Sequence, residues 1–309
     1  MLTIFKLLFG ITSLWSSENI CTGVTYQTIN SKESYCRESD EQSMQRLCSF
    51  ENTMGFENAG GLFGLPTGVC WWHSEFMRNA TYLTYYRNEC PRWDETTRDG
   101  RKKIRQALND LIFNREVVVI PGYDNLLQFT SDPYVQAKLQ KKLQQWMGRD
   151  SFLYFQWVNG LEGVAYRPGN ERAIKREYKN LRQLYHEVIN EKKISYVMVQ
   201  HTGVEAHAYL VFHVERWNVE GEDHYEIFVQ DSNYQNFSYN VGGTRMRLAT
   251  PYNKYTWNGE FWMQSSDYRA GYSKPLDFNL YVQKSRDLKK TERVRTRYCA
   301  RAPASSPCP

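Results

Sequence analysis

The pattern of apolar and polar positions changes once along the chain, at about Lys193. Before that point apolar residues recur at helical spacing, which predicts helices at residues 70–86, around 104–112, around 135–146 and at 170–191. After it, short apolar runs predict strands at residues 194–199, 206–217, 225–229 and 276–282. Helices followed by strands predict an α+β fold with an antiparallel sheet.

Less regular segments flank this body of helices and strands. Residues 1–17 resemble a secretory signal peptide, because Lys6 precedes a short apolar stretch and then small polar residues. Residues 18–57 are polar, carry cysteines and show little periodicity, so we expect them to lie over the main domain at residues 58–285. Residues 286–309 form a basic, Pro/Ser-rich tail, whose charges we interpret as a solvated face.

Composition and charge exclude several classes of protein. The chain has 309 residues, of which 41% are hydrophobic and 15% aromatic, so it can bury a core and is neither disordered nor collagen-like. Its formal net charge of +5 is too small to indicate nucleic-acid binding, and no nucleic-acid partner is expected. No apolar run approaches the ~18 residues of a spanning helix, so no membrane span is expected either.

The cysteines are odd in number, and this points to one reactive thiol. The seven are Cys21, Cys36, Cys48, Cys70, Cys90, Cys299 and Cys308. Six could form three disulfides in an oxidising compartment, in a connectivity that spacing does not reveal. We place the unpaired thiol at Cys70, since it follows a Gly-rich loop and opens a predicted helix. The N–H groups of a helix N-terminus lower a thiol pKa and can hold a developing oxyanion.

A histidine and an acidic or amide partner are predicted to meet at one end of a hairpin. His207 lies in an otherwise apolar strand, and the next strand ends at Asp231. A turn centred at residue 219 sets His207 opposite Asp231, whereas a turn centred at 220 sets it opposite Asn233. Opposed residues have Cβ atoms ~5 Å apart. A cysteine, a histidine and a third group that orients the imidazole make up the general plan of nucleophilic cysteine catalysis.

Three short motifs resemble the papain-like superfamily of cysteine peptidases. They are Cys70-Trp71 at a helix start, Ala206-His207-Ala208 on a strand, and Asp231-Ser232-Asn233-Tyr234 after the following strand. The second half is closer to bacterial effector-type members than to papain. The resemblance covers residues 58–285 and implies a papain-like catalytic domain, with N-terminal helices and the nucleophile helix packed on a C-terminal antiparallel sheet. It also implies a protein or peptide substrate, a thioester intermediate and no cofactor. No metal is expected, because the histidines come without the second close ligand pair that metal sites usually have.

The resemblance implies a role for each site residue. Cys70 becomes the nucleophile, His207 the general base and then acid, and Asp231 the group that orients His207, with Asn233 as second choice. Papain relatives place a Gln oxyanion donor six residues before the cysteine, where this chain has Gly64. The backbone N–H of Cys70 and the side chain of Asn58 are the candidate donors that remain.

Two further functions stay open beside hydrolysis by a secreted or periplasmic enzyme. The missing Gln favours a catalytically inactive, disulfide-stapled binding protein on a papain-like scaffold. Alternatively, an acyltransferase or a deamidase could use the same Cys70, His207 and Asp231, because only the acceptor of the acyl group differs.

Overall fold

The structure, a computed structural model, covers most of the predicted body of the protein. It describes residues 20–25, 28–56, 70–113, 115–154, 171–201, 206–231, 237–239, 245–247, 251–271, 275–276, 278–282, 286–301 and 308–309. The predicted leader at residues 1–17 lies outside these ranges, as do Asn58, Gly64 and Asn233.

Most of the helices precede Lys193, the point before which the apolar spacing predicts them. They are α1 (Lys32–Arg37), α2 (Asp40–Gln45), α3 (Cys70–Leu83), α4 (Arg98–Ile112), α5 (Leu126–Ser131), α6 (Pro133–Tyr154), α7 (Glu171–Tyr185), α8 (Ser265–Arg269) and α9 (Arg286–Ala300). Short 3₁₀ turns follow α2 at Arg46–Cys48 and Phe50–Asn52, and a π turn at His186–Asn190 follows α7. Among the described residues, no helix is both long and apolar enough to cross a membrane.

The strands form one large antiparallel sheet and two small pairs. They are β1 (Thr84–Arg87), β2 (Val118–Pro121), β3 (Ser195–His201), β4 (Ala206–Val219), β5 (Glu222–Asp231), β6 (Phe237–Tyr239), β7 (Arg245–Arg247), β8 (Asn253–Trp257), β9 (Trp262–Gln264) and β10 (Phe278–Val282). The six-stranded sheet has the order β10-β3-β4-β5-β8-β9, with every neighbour antiparallel. This combination of helices and an antiparallel sheet confirms the α+β class.

The large sheet curls until its two edge strands approach each other. Just before β10, the N–H of Leu276 donates a hydrogen bond to the carbonyl of Trp262 in β9, at 2.7 Å. The opposite edge of the sheet is β10 itself. The curl encloses an apolar core that includes Phe212, Ile227 and Leu280, all fully buried.

Helix α3 is enclosed by the sheet and by other helices along almost its whole length. Every residue from Trp72 to Leu83 is buried, so the polar ones need partners inside the protein. Ser74, for example, donates its hydroxyl to the carbonyl of Ala208 in β4, at 3.3 Å. The helix ends at Leu83 rather than at residue 86, because Thr84 and the two tyrosines after it favour a strand, which pairs parallel with β2.

Residues 28–56 are part of the folded body and not an irregular cover over it. Ser31 and Ser39 cap α1 and α2 with capping boxes, a pattern that fixes a helix start. This segment sends apolar side chains into the core: Tyr35, Met44, Leu47, Met54 and Phe56. The hydroxyl of Tyr35 also donates to the carbonyl of Tyr82, at 2.6 Å.

The basic run after residue 285 is a helix, α9, that packs against the N-terminal segment. Arg295 is largely buried and donates to the carbonyls of Tyr35 and Glu38, at 2.9 and 2.7 Å. Cys299 forms a disulfide with Cys36 on α1. The interpretation of this run as solvated therefore holds for exposed residues such as Lys289 and Arg293 but is wrong for Arg295.

A carboxyl group is buried where α7 meets the sheet. Glu177 accepts a hydrogen bond from the N–H of Leu280 at 2.8 Å and one from the indole of Trp262 at 3.4 Å. Burial raises the pKa of Glu177 to about 8, although both hydrogen bonds oppose the shift. The folded protein therefore holds this proton more tightly than the unfolded chain does.

Replacing Glu177 with Gln is expected to weaken the pH dependence of stability. Because the folded pKa is raised, the stabilising contribution of Glu177 is complete below the unfolded pKa and is lost as the pH rises through the folded pKa of about 8. Wild type should lose several degrees in Tm between pH 5 and 9, and Glu177→Gln clearly less. Glu177→Ala, which removes the acceptor, should be less stable at every pH. If the curves of Tm against pH were parallel for wild type and Glu177→Gln, this prediction would be wrong.

Candidate active site

Cys70 carries a free thiol, as the cysteine count predicts. The other six cysteines form the disulfides Cys21–Cys48, Cys36–Cys299 and Cys90–Cys308. Cys70 is partly exposed and is the first residue of α3. The helix therefore directs its unpaired N–H groups and the positive end of its dipole toward the thiol.

The first turn of α3 is fixed against the sheet by an aromatic pair. The hydroxyl of Tyr196, on β3, donates to the carbonyl of Trp71, and the centroids of the two rings lie 4.1 Å apart. Ser74 adds its bond to β4 one turn further along. These contacts hold Cys70 near the start of β4, the strand that carries His207.

His207 and Asp231 form a short, buried contact where β4 begins and β5 ends. Nε2 of His207 donates to Oδ1 of Asp231 at 2.6 Å, and the two side chains are 12% and 3% exposed. Cys70 lies close enough to His207 for its thiol to contribute, with Asp231, to the raised pKa of His207. Because Nε2 is hydrogen-bonded to the carboxylate of Asp231, Nδ1 is the ring nitrogen that can exchange a proton with the thiol. The structure thus brings together Cys70, His207 and Asp231.

The register of the hairpin differs from the one that set Asp231 directly opposite His207. The turn lies at Glu220 and Gly221, both with positive φ, as expected for a tight two-residue hairpin. A bulge at Phe212 then shifts the pairing, so Tyr209 is the residue opposite Asp231. His207 reaches Asp231 diagonally, a distance of ~7–8 Å between Cα atoms that long side chains span.

The electrostatics of the site favour a charged imidazole. Burial alone would keep His207 neutral, but its hydrogen bonds to Asp231 and Cys70, together with the negative charges of these partners, outweigh burial and raise its pKa to about 10. Asp231 thus stabilises the imidazolium that forms when the thiol gives up its proton. An imidazolium beside a thiolate is the resting ion pair of a reactive cysteine.

Comparison with known proteins does not assign a role to these residues. No protein-family model, curated protein or solved structure matches this chain. The likeness to papain-like peptidases therefore stays a prediction from three motifs, while the contact of His207 with Asp231 and the place of Cys70 beside them are properties of the structure.

A second histidine, His73, lies one turn beyond Cys70 and is fully buried. Its Nε2 donates to the carbonyl of Phe56 at 3.3 Å, and its ring meets the Phe56 ring edge to face. Burial lowers the pKa of His73 to about 4, so it stays neutral beside the charged pair at neutral pH. His73 ties residue 56 to α3. No group of three or more His, Cys, Asp or Glu residues suited to a metal ion occurs in the described part of the chain.

The contact that supports the strand end next to Asp231 was not predicted from the sequence. Gln230, the residue before it, is buried and donates its amide to the carbonyl of Leu47 at 3.0 Å. Leu47 belongs to the segment that the Cys21–Cys48 disulfide closes. A contact across 183 residues leaves no local pattern, so only the fold could reveal it.

Proposed function

We propose that this protein is a papain-like cysteine hydrolase that cleaves peptide or amide bonds through a thioester intermediate. One observation carries the proposal: a free cysteine at a helix N-terminus lies beside a histidine whose Nε2 binds a buried carboxylate. Nucleophilic cysteine catalysis uses such a series, in which the base lies between the nucleophile and the group that orients the base. Their order in the sequence and the helix-on-sheet arrangement around them add support for the family.

The first half of the reaction acylates Cys70. His207 takes the thiol proton, and the thiolate attacks the carbonyl carbon of the substrate. In this proposal the backbone N–H groups at the start of α3, including that of Cys70, hold the oxyanion. As the tetrahedral intermediate collapses, the carbon–nitrogen bond breaks and His207 returns its proton to the leaving nitrogen.

The second half releases the acyl group to water. His207, neutral once the amine has left, accepts a proton from the attacking water, and the carbon–sulfur bond then breaks to restore the thiolate. Asp231 keeps the ring oriented and stabilises its charged form in both halves. An amine acceptor in place of water gives acyl transfer, and a glutamine side chain as substrate gives deamidation, with the same residues.

The cysteines also bear on where the enzyme works. Three disulfides are typical of a protein from an oxidising compartment. We therefore propose that the protein acts outside the cytosol, as a secreted or periplasmic enzyme.

A burst experiment tests the proposal without knowledge of the natural substrate. Mixing wild type with excess p-nitrophenyl acetate should release close to one equivalent of nitrophenolate rapidly, and mass spectrometry should find the acetyl group on Cys70. Cys70→Ala should give no burst, and His207→Ala a much slower one, because the thiol loses its base. Wild type should also cleave members of an unbiased peptide library that Cys70→Ala leaves intact.

The controls separate chemistry from folding. Both variants should keep the wild-type circular dichroism spectrum and unfold cooperatively. A wild-type protein that is fully folded, shows no burst and cleaves no peptide would overturn the hydrolase proposal in favour of an inactive binding protein.

A further inference from the structure

Three helices far apart in the sequence carry an excess of positive charge that the whole chain does not share. Together α4, α6 and α9 hold fifteen Lys and Arg residues against five Asp and Glu, whereas the net charge of the whole chain is only +5. The basic residues are Arg98, Arg101, Lys102, Lys103, Arg105, Lys138, Lys141, Lys142, Arg149, Arg286, Lys289, Lys290, Arg293, Arg295 and Arg297. The rest of the protein is therefore net acidic.

These helices meet around the C-terminal end of α4. Lys142 on α6 donates to the side-chain oxygen of Asn109 on α4, at 2.6 Å. Lys290 on α9 donates to the carbonyl of Phe113, directly after α4. The ring of Phe113 also packs on Trp146 of α6, with 5.9 Å between centroids. We refer to the surface that the three helices form around this junction as the basic face.

Much of the charge on the basic face has no acidic partner. Within the described ranges, Arg105, Lys141, Lys142 and Lys289 form no ion pair. The charge that faces Lys142 is another cation: burial lowers the pKa of Lys142, and Arg105 lowers it further. Crowded cations without counter-charges raise the energy of the free protein, and a bound polyanion would relieve that repulsion.

The exposed cations extend over a length that suits a polymer. On α9, Lys289, Arg293 and Arg297 recur every four residues on one exposed stripe, so neighbouring charges stand ~6 Å apart along the axis. Helix α4 adds Lys102 and Arg105, both exposed. A single small anion would engage only part of such a surface.

We propose that the basic face binds a linear anionic polysaccharide and so tethers the protein to a sulfated or carboxylated matrix. A nucleic acid fits less well, because every aromatic side chain that the structure describes is buried or only partly exposed, whereas base stacking uses exposed rings. The disulfides are typical of a compartment outside the cytosol, away from most cellular nucleic acid. This binding is separate from the chemistry at Cys70.

The test compares heparin binding by two variants with the same net charge. The first combines Arg105→Gln, Lys141→Gln and Lys289→Gln, which are exposed positions on the three helices of the basic face. The matched control combines Lys175→Gln, Lys179→Gln and Lys192→Gln, which are exposed positions elsewhere. Binding to a fluorescent heparin oligosaccharide is measured by anisotropy over a series of salt concentrations.

The expected result is specific to the basic face. The first variant should lose roughly tenfold or more in affinity, with a shallower dependence on salt, while the control changes little. Both should keep the wild-type Tm and nitrophenolate burst. Equal losses in the two variants, or no wild-type binding at physiological salt, would overturn the proposal. Equal or tighter binding to a short DNA duplex would overturn the polysaccharide assignment.

Discussion

Replacing Asp231 with Asn is expected to lower kcat/KM by about three to four orders of magnitude while the fold survives. The carboxylate accepts the Nε2 hydrogen of His207 at 2.6 Å and stabilises the imidazolium. An amide of the same shape brings no charge and can present its N–H₂ group to the ring, which favours the wrong tautomer. The variant should be assayed on whichever peptide wild type cleaves, together with nitrophenolate burst kinetics.

The same variant should also change the pH profile in a defined direction. In wild type, His207 stays protonated until the pH approaches its raised pKa of about 10, so the alkaline limb of kcat/KM should lie near that value. Loss of the Asp231 charge should move this limb down toward 6.5, the ordinary histidine value. A limb that stays near pH 10 in Asp231→Asn would contradict the role of the carboxylate.

Asp223 offers a matched control on the same strand. It is an aspartate of β5 near the turn, where it pairs with Arg216 at 2.8 Å and contacts no site residue. Asp223→Asn removes the same charge from β5 and should leave kcat/KM within about twofold of wild type, as expected for a surface substitution.

Removing the Cys36–Cys299 disulfide is expected to cause the largest loss of stability among the three bridges, about 2–5 kcal/mol in the free energy of unfolding. This bridge joins residues 263 apart in sequence, so its loss frees the unfolded chain more than the loss of Cys21–Cys48, which spans 27 residues. The chain-entropy relation puts the difference between these two at about 2 kcal/mol. Denaturant unfolding of the paired Cys→Ser variants measures both.

Other contacts around this bridge should keep the variant folded and active under native conditions. Arg295 still ties α9 to Tyr35 and Glu38, so the double serine variant should keep its native spectrum and its nitrophenolate burst. A Cys21→Ser/Cys48→Ser variant that proves less stable than Cys36→Ser/Cys299→Ser would contradict the entropic ranking.

The spacing of apolar residues predicted those helices and strands that bury one face or that are buried along their whole length. Helix α7 and strands β3, β4, β5 and β10 occur where the sequence places them, because amphipathic spacing or an uninterrupted apolar run leaves little ambiguity. Strands β8 and β9 were missed, since their aromatic residues alternate with polar ones too briefly to be separated from general sheet cover. Helices α1 and α2 were missed although Ser31 and Ser39 carry the signal in their capping boxes.

Local spacing in the sequence predicted some features of the site and could not predict others. The prediction that Cys70 is the free cysteine follows from arithmetic and from its place at a helix start, both of which are local. The approach of His207 to Asp231 needs only a hairpin, so it too was within reach, but the bulge at Phe212 that sets the register leaves no sequence mark. The disulfide pairing and the support of Gln230 by Leu47 depend on contacts between distant segments.

The pairing of the cysteines sets the order in which this protein can mature. Cys36 and Cys90 emerge during synthesis long before Cys299 and Cys308, so two of the three bridges must wait for the last of these cysteines. Until then Cys36, Cys70 and Cys90 are all available to one another, and Cys70 is the thiol that must end unpaired. Wrong bridges made in that interval can be corrected only by thiol–disulfide exchange. Recombinant yield should therefore depend on a disulfide isomerase more than on an oxidant.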